Sequence, residues 1–229
     1  MRKRILLAVI LGSAVGVVAA SQAQNADAPD QPLGFFVTST THTGNLGGLA
    51  GADAECQRLA AAVGAGDRTW RAYLSTHGTP REPAVNARER IGTGPWYNAN
   101  DVLIAASVAD LHGDIQRDTN LIFIETAITE TGELVNGRVR PEGTENEHDM
   151  LTGSDSHGRA MAPGLSSRGG FTCNNWTSDT DEYLAMIGHH DRQSQWNTSW
   201  NSSHLTQGCS LPTLNATGGA GRFYCFAAD

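Results

Sequence analysis

Hydrophobic and polar positions in the first third of the chain predict a strand, a helix and a second strand. Residues 34–39 (GFFVTS) are rich in aromatic and β-branched side chains, which is typical of a strand. Four apolar residues then recur at the i, i+3, i+4, i+7 spacing of one helix face and predict a helix over residues 49–63. The residues on this face are Cys56, Leu59, Ala60 and Val63. Residues 70–74 (WRAYL) predict the second strand.

The pattern is weaker in the rest of the chain. Residues 102–111 predict a short helix, and residues 120–124 and 223–227 predict two more strands. Residues 132–148 are polar and predict a loop. After residue 153, Gly, Ser, Asn and Thr dominate, but several Trp and Cys residues are interspersed. We therefore expect long loops folded onto a core, and no second domain.

The N-terminus has the pattern of a bacterial secretory signal peptide. Three basic residues at positions 2–4 precede a nearly continuous apolar run over residues 5–20. A small-x-small site predicts cleavage after Ala23, with Ala20 as the alternative. The sequence thus predicts an exported protein that is periplasmic, surface-bound or secreted, with no integral membrane segment after cleavage.

Signal cleavage changes the charge of the predicted mature protein. Residues 24–32 predict a linker, and residues 33–229 the folded domain. Removal of the basic cluster takes the formal net charge from −8 to −11 and removes Lys3, the only lysine. Schiff-base and P-loop chemistry are therefore excluded. The acidic balance also argues against nucleic acid as a partner.

Four cysteines in an exported chain predict two disulfides, for which three connectivities are possible. No C-x-x-C occurs, so a zinc knuckle or a thioredoxin-like site is disfavoured. The four residues are Cys56, Cys173, Cys209 and Cys225.

Metal ligands are the first group of candidate functional residues. Residues 188–191 (GHHD) together with His204 offer imidazole and carboxylate groups that suit a transition metal such as zinc, although solvated or hydrogen-bonded loop histidines are the more common alternative. His189 and His190 are adjacent and would point to opposite faces of a strand, which argues against a site that both share. An acidic stretch could instead order around calcium, although no EF-hand spacing is present. Its members are Glu142, Glu145, Glu147, Asp149 and Asp155.

Sugar-binding and catalytic groups complete the candidates. Two Trp-Asn pairs could form a stacking face with amide donors, although the alternative that the tryptophans pack beneath the long loops is the more common one. Asp155 and Arg159 are further possible ligand contacts. The pairs are Trp196, Asn197, Trp200 and Asn201. A hydrolase could use Asp155 with His157, or the His189–His190 pair, but no G-x-S-x-G or H-E-x-x-H motif is present.

The order of several motifs resembles endostatin, a domain with the C-type lectin-like fold. The motifs are residues 35–37 (FFV), 51–56 (GADAEC), 70–75 (WRAYLS), 153–159 (GSDSHGR) and 173–176 (CNNW). The sequences of residues 37–39, 44–53 and 224–226 are still more similar to those of bacterial exported endostatin-like proteins, which share a domain of unknown function. The resemblance covers about residues 33–227.

The resemblance implies an α+β fold with a mixed twisted sheet, one or two flanking helices and long loops. It also implies nested disulfides, Cys56 with Cys225 and Cys173 with Cys209. The N-terminal zinc site of endostatin is not implied, because no histidine precedes His42. Binding of heparin is disfavoured by the negative charge, and the calcium-dependent sugar motifs of true lectins are absent.

These observations favour an exported, non-enzymatic binding module without a required cofactor. We expect the face formed by residues 150–210 to contact a protein or carbohydrate partner, as in cell adhesion. The alternatives are a hydrolase or metal-dependent enzyme at the residues named above, or a structural component of the envelope. Fold does not determine function, so these expectations depend on the geometry of the site.

Overall fold

The computed structural model describes residues 31–116, 119–162, 164, 168–192 and 199–229. The predicted signal peptide, most of the predicted linker, Trp196 and Asn197 lie outside these residues. In the described part of the chain the fold is α+β, with a mixed six-stranded sheet, a separate two-stranded sheet and four short helices.

The strands are short apart from the last one. In the described residues they are β1 (Phe35–Val37), β2 (Trp70–Ala72), β3 (Trp96–Tyr97), β4 (Leu103–Ala105), β5 (Asp149–Leu151), β6 (Met186–His189), β7 (His204–Leu205) and β8 (Gly219–Ala227). The helices there are α1 (Gly48–Ala62), α2 (Val108–Leu111), α3 (Cys173–Trp176) and α4 (Leu211–Thr217), and Ala87–Glu89 form a 3-10 turn.

Strand β8 is the centre of the large sheet. The strand order is β1-β8-β5-β6-β7, and β2 also pairs with β8. Only the β5–β8 pair is parallel; the other pairs are antiparallel. β8 is buried on both faces because Phe223 and Cys225 face α1, whereas Tyr224 and Phe226 face a second core with Trp96. This long, apolar strand matches the strand predicted over residues 223–227 and extends it towards its N-terminal end.

Two disulfides connect distant elements of the fold. Cys56 of α1 is bonded to Cys225 of β8, and Cys173 is bonded to Cys209. This is the nested pairing that the endostatin resemblance implies. Disulfides persist in oxidising compartments, so the two bonds indicate a location outside the cytoplasm. None of the described helices combines the length and the hydropathy needed to cross a bilayer.

Residues 120–124 do not form the predicted strand. The Arg192 guanidinium donates to the carbonyl oxygens of Asn120 and Ile122, and the Asn120 side chain accepts a hydrogen bond from the Ile122 backbone N–H. These side chains use the backbone groups that a neighbouring strand would otherwise pair with. The prediction of a strand was therefore wrong.

The helix predicted over residues 102–111 is correct only in its second half. Its first half is β4, which pairs with β3. The Ser107 side chain accepts a hydrogen bond from the Asp110 backbone N–H and starts α2 at Val108. Val63 is 39% exposed because α1 ends at Ala62, one residue earlier than predicted. The expectation of one or two helices was also too low, since the described part of the chain has four.

A buried polar network gives the core a pH dependence. The Tyr73 hydroxyl lies 2.8 Å from His112 Nε2, and the Asn201 amide donates to Tyr73. The Nδ1–H of His112 faces the Val108 carbonyl oxygen at 2.8 Å, so Nε2 accepts from Tyr73. Burial lowers the pKa of His112 to about 4, which means that the imidazole stays neutral in the folded protein.

We expect this histidine to destabilise the fold in acid. The unfolded chain protonates His112 near pH 6.5 and the folded protein only near pH 4, so the unfolded state binds more protons between these values. The free energy of unfolding should therefore fall by up to about 3 kcal/mol as the pH drops through this window. The measurement is urea unfolding of wild type and His112→Gln at several pH values.

The glutamine keeps an acceptor for Tyr73 but cannot titrate. The free energy of unfolding of His112→Gln should therefore fall less in acid than that of wild type, by up to about 3 kcal/mol. His157→Gln, which changes a histidine with a 54% exposed side chain, should behave like wild type. Parallel curves for wild type and His112→Gln would contradict this assignment.

Candidate metal centre

Four side chains converge where strands β5, β6 and β7 lie side by side. His148 directly precedes β5, Asp149 is its first residue, His189 ends β6 and His204 begins β7. Asp149 and His189 are opposite each other in the antiparallel ladder, and His204 is opposite Ile187, two residues before His189. Side chains two positions apart along a strand share a face, so the register brings Asp149, His189 and His204 together, and His148 joins them from the position just before β5. We call these four residues the His/Asp cluster.

The potential ligand atoms of the His/Asp cluster lie close to Asp149 Oδ1. His148 Nε2 and His189 Nε2 lie 3.1 Å and 3.2 Å from this oxygen. His204 Nε2 lies 3.6 Å from the same oxygen and 3.1 Å from His189 Nε2. The edges of a tetrahedron of ligands around zinc are about 3.3–3.4 Å long for bonds of about 2.0–2.1 Å. The ligand atoms of His148, Asp149 and His189 all lie within 4.8 Å of one another, so these three can hold one ion, and His204 adjoins them on the side of His189.

The other ring nitrogen of each histidine is held by an outer partner. His148 Nδ1 lies 3.1 Å from Asp191 Oδ1, and His204 Nδ1 lies 3.1 Å from the Leu205 carbonyl oxygen. Neither oxygen can donate, so Nδ1 carries a hydrogen in both rings, and Nε2 turns a lone pair towards the cluster when the ring is neutral, as metal binding requires. His189 Nδ1 lies 3.0 Å from Ser203 Oγ. Such outer hydrogen bonds orient histidines that ligate metals.

The carboxylate of Asp149 is buried without hydrogen bonds of ordinary geometry. Its side chain is 2% exposed, and among the described residues neither carboxylate oxygen has a partner with hydrogen-bond geometry. A bond between His189 and His204 would satisfy those two rings and still leave the carboxylate without a donor. A buried carboxylate is costly, roughly several kcal/mol, unless positive charge lies beside it. A protonated His148, with Nε2 3.1 Å from Asp149 Oδ1, can supply that charge, and so can a metal ion. The geometry thus has a place for a cation at the cluster.

The electrostatics of the cluster also favour positive charge. Burial lowers the pKa of His148, but the carboxylates of Asp149 and Asp191 on either side of the ring outweigh burial and raise it to about 9. Burial opposes ionisation of Asp149, yet the neighbouring histidines lower its pKa. The histidines therefore keep Asp149 ionised, and a metal ion would replace the proton that His148 otherwise holds.

The donor set selects the class of metal. Three imidazole nitrogens with one carboxylate suit zinc and other divalent transition metals. Calcium and magnesium prefer shells of oxygen ligands, so the set does not fit them. All four cysteines are in disulfides, so they are not available as thiolate ligands. What the arrangement offers chemically is a compact, largely buried site for one zinc-class ion.

The sequence singled out three of the four residues of the His/Asp cluster, Asp149 among them as a possible calcium ligand. His189 and His204 were candidate ligands and come together; Asp191 takes the outer position beside His148. His190 lies apart from the cluster, fully buried, and among the described residues neither of its ring nitrogens has a hydrogen-bond partner. His148 was missed because it ends a segment predicted to be a polar loop. The feature of the sequence that could have revealed His148 is its position next to Asp149, where β5 begins.

The two described residues of the predicted sugar-binding face, Trp200 and Asn201, are buried. Trp200 is 4% exposed and packs on Tyr73, and Asn201 is 1% exposed and donates to Tyr73. Both residues belong to the core, because aromatic and amide groups of the long loop fill the space beneath it. This burial agrees with the alternative that the tryptophans pack beneath the long loops, and a ligand contact by Trp200 or Asn201 stays a prediction. Trp196 and Asn197 lie outside the described residues.

The other candidate groups serve local structure. Asp155 Oδ1 accepts hydrogen bonds from the backbone N–H groups of His157 and Arg159, which orders a tight turn. The His157 imidazole lies near Asp114 instead, at 3.6 Å. The acidic stretch does not converge either, since Glu147 pairs with Arg222 while Asp149 is in the His/Asp cluster.

A groove of about 450 Å³ lies beside α3, whose four residues all have positive φ, from 45° to 66°. Such a left-handed turn is strained for residues other than glycine. It is held by the Asn175 amide, which accepts from the His77 backbone N–H and donates to the His77 carbonyl oxygen. The polar groups of Asn175 are therefore committed to the fold.

Comparison with known proteins assigns the chain to a family. A family model matches residues 39–195, which is more than half of the 229 residues. No curated protein matches the chain. The motifs also indicated a domain of unknown function, which agrees with this match. The match provides no link to endostatin or to C-type lectins. The chain belongs to the family described as "Protein of unknown function (DUF1554)".

Proposed function

We propose that this protein is an exported, non-enzymatic binding module that holds one divalent transition-metal ion of the zinc class in the His/Asp cluster. The observation that carries the proposal is the convergence of three imidazole nitrogens on the buried Asp149 carboxylate, at distances of 3.1–3.6 Å and without hydrogen-bond geometry. The ion would take over the positive charge that a protonated His148 supplies in its absence. In this role it would tie β5, β6 and β7 together.

The ion would also close the chain segment between two of its ligands. His189 and His204 flank residues 190–203, so their coordination would fix both ends of that chain segment. A protein–metal bond that forms only in the folded state stabilises that state by mass action, by about 2.7 kcal/mol at 100 times the Kd. For a domain of this size, that gain corresponds to an increase in Tm of about 5–10 °C.

The experiment is calorimetry of the protein purified from an oxidising compartment and stripped with a chelator. Zinc should bind with a stoichiometry of one ion per chain and raise Tm by about 5–10 °C at 100 times its Kd. Calcium and magnesium at the same concentrations are the controls and should give little change. An absence of zinc binding, or an equal shift with calcium, would rule out the proposed site.

The finer architecture that we propose is the C-type lectin-like fold of endostatin. The nested disulfides and the position of α1 ahead of β2, both attached to β8, support it. Recognition of a protein or carbohydrate partner stays a prediction from that resemblance. Since Trp200 and Asn201 are core residues, a partner would be met by other groups of the face formed by residues 150–210.

A further inference from the structure

We propose that His204 occupies an exchangeable coordination position, at which an external neutral nitrogen donor of the imidazole class can bind the metal in its place. The inference rests on the proposed function, since it requires a metal in the His/Asp cluster. In the exchange, His204 Nε2 leaves the ion and one external nitrogen takes its position, so the coordination number is unchanged.

His204 is the most accessible and most distant member of the cluster. Its side chain is 39% exposed, whereas those of His148, Asp149 and His189 are only 2–3% exposed. Its Nε2 lies 3.6 Å from Asp149 Oδ1, compared with 3.1 Å for His148 and 3.2 Å for His189. A molecule arriving from solvent would therefore meet the ion on the His204 side.

His204 is also the histidine with the weakest support. Its Nδ1 contacts the carbonyl oxygen of the next residue, Leu205, whereas His148 is held by the buried Asp191 carboxylate and stacks on His189 with ring centroids 4.2 Å apart. β7 has two residues and lies at the edge of the sheet, while β5 and β6 have neighbours on both sides. Movement of His204 thus disturbs few other contacts.

Charge indicates which donors can replace it. His204 would be a neutral ligand, so its replacement by a neutral imidazole leaves the charge of the ligand set unchanged. An anionic donor would add a negative charge beside the Asp149 carboxylate in a largely buried site, which is unfavourable. The vacated position has the dimensions of an imidazole ring beside His189, whose ring centroid is 5.0 Å from that of His204. We therefore infer an imidazole-class ligand, such as the histidine of a partner.

The test is chemical rescue with cobalt(II) as a visible substitute for zinc and free imidazole as the probe. His204→Gly should bind cobalt about 100-fold more weakly than wild type, and millimolar imidazole should restore at least about 10-fold of that affinity together with the absorption of a tetrahedral ion. His189→Gly is the matched control. Its vacancy is buried, so imidazole should not restore it.

Equal rescue of both variants, or rescue of neither while both stay folded by circular dichroism, would overturn the inference. The titration of wild type with cobalt in the same series tests the proposed function separately. If wild type does not bind cobalt, the metal site itself is wrong. If it binds and His204→Gly is not rescued, only the exchangeable position is wrong.

A measurement on wild type covers the case in which the glycine variant does not fold. Zinc-loaded wild type is mixed with a colorimetric chelator in the presence and absence of imidazole. Ligand exchange at His204 predicts that imidazole accelerates the release of zinc and that acetate, an anionic donor, does so less. A release rate that is independent of imidazole would contradict the proposal.

Discussion

Asp149→Asn is expected to lower the affinity for zinc by at least about 100-fold while leaving the fold intact. An amide has nearly the shape of the carboxylate but is a poor ligand and carries no charge. A zinc site with four protein ligands is worth roughly 10–16 kcal/mol, so one ligand accounts for about 3 kcal/mol, or about a factor of 100. Competition with a chromogenic chelator measures this affinity.

Two further variants calibrate the effect. Asp191→Asn removes the acceptor of His148 Nδ1–H without removing a ligand, and substitutions at such outer positions weaken binding by about 10- to 100-fold. His157→Ala deletes an exposed histidine outside the His/Asp cluster and should leave the affinity unchanged. If the three variants lose affinity equally, or if Asp149→Asn binds like wild type, the cluster is not the site.

Removal of the Cys56–Cys225 disulfide should lower the free energy of unfolding by about 5 kcal/mol. The bond closes a loop with a sequence separation of 169, and in the chain-entropy model the stabilisation increases with loop length. The Cys173–Cys209 bond, with a separation of 36, should contribute about 4 kcal/mol. Both values are large fractions of the stability of an ordinary domain. The measurement is denaturant unfolding of the two paired Cys→Ala variants.

The paired variants also separate stability from metal binding. The loop closed by Cys173 and Cys209 contains His189 and His204, so its loss should weaken zinc binding in molecules that are still folded. The Cys56–Cys225 bond joins α1 to β8 away from the cluster and should affect stability without changing the zinc affinity of the folded fraction. The opposite order of effects on zinc affinity would contradict this division.

The elements that could be predicted from the sequence are those whose signal is local. Residues 34–39 and 70–74 contain β1 and β2 because their aromatic side chains are typical of strands, and the helical period located α1 to within one residue at each end. Residues 120–124 have the same apolar character but remain irregular, since the Arg192 side chain takes their carbonyl oxygens. Arg192 is distant in the sequence, so no local pattern could reveal this.

The candidate site likewise contains residues that local sequence patterns identify and one whose position depends on the pairing of distant strands. Alternation along a strand correctly separated His189 from His190, and imidazole chemistry made His189 and His204 candidates. His148 could not be found in this way, because its approach to His189 depends on the pairing of β5 with β6, about forty residues apart in the sequence. The surroundings of the Asp149 carboxylate likewise depend on the pairing of the strands, so they cannot be derived from a local sequence pattern.

The most direct test of the central claim is X-ray absorption at the zinc K-edge of the stripped protein reloaded with one equivalent of zinc. The His/Asp cluster predicts a four-coordinate ion with three imidazole nitrogens and one oxygen at about 2.0–2.2 Å. In Asp149→Asn the spectrum should change or the ion should be absent. A first shell of oxygen atoms only, without imidazole scattering, would contradict the proposed metal centre.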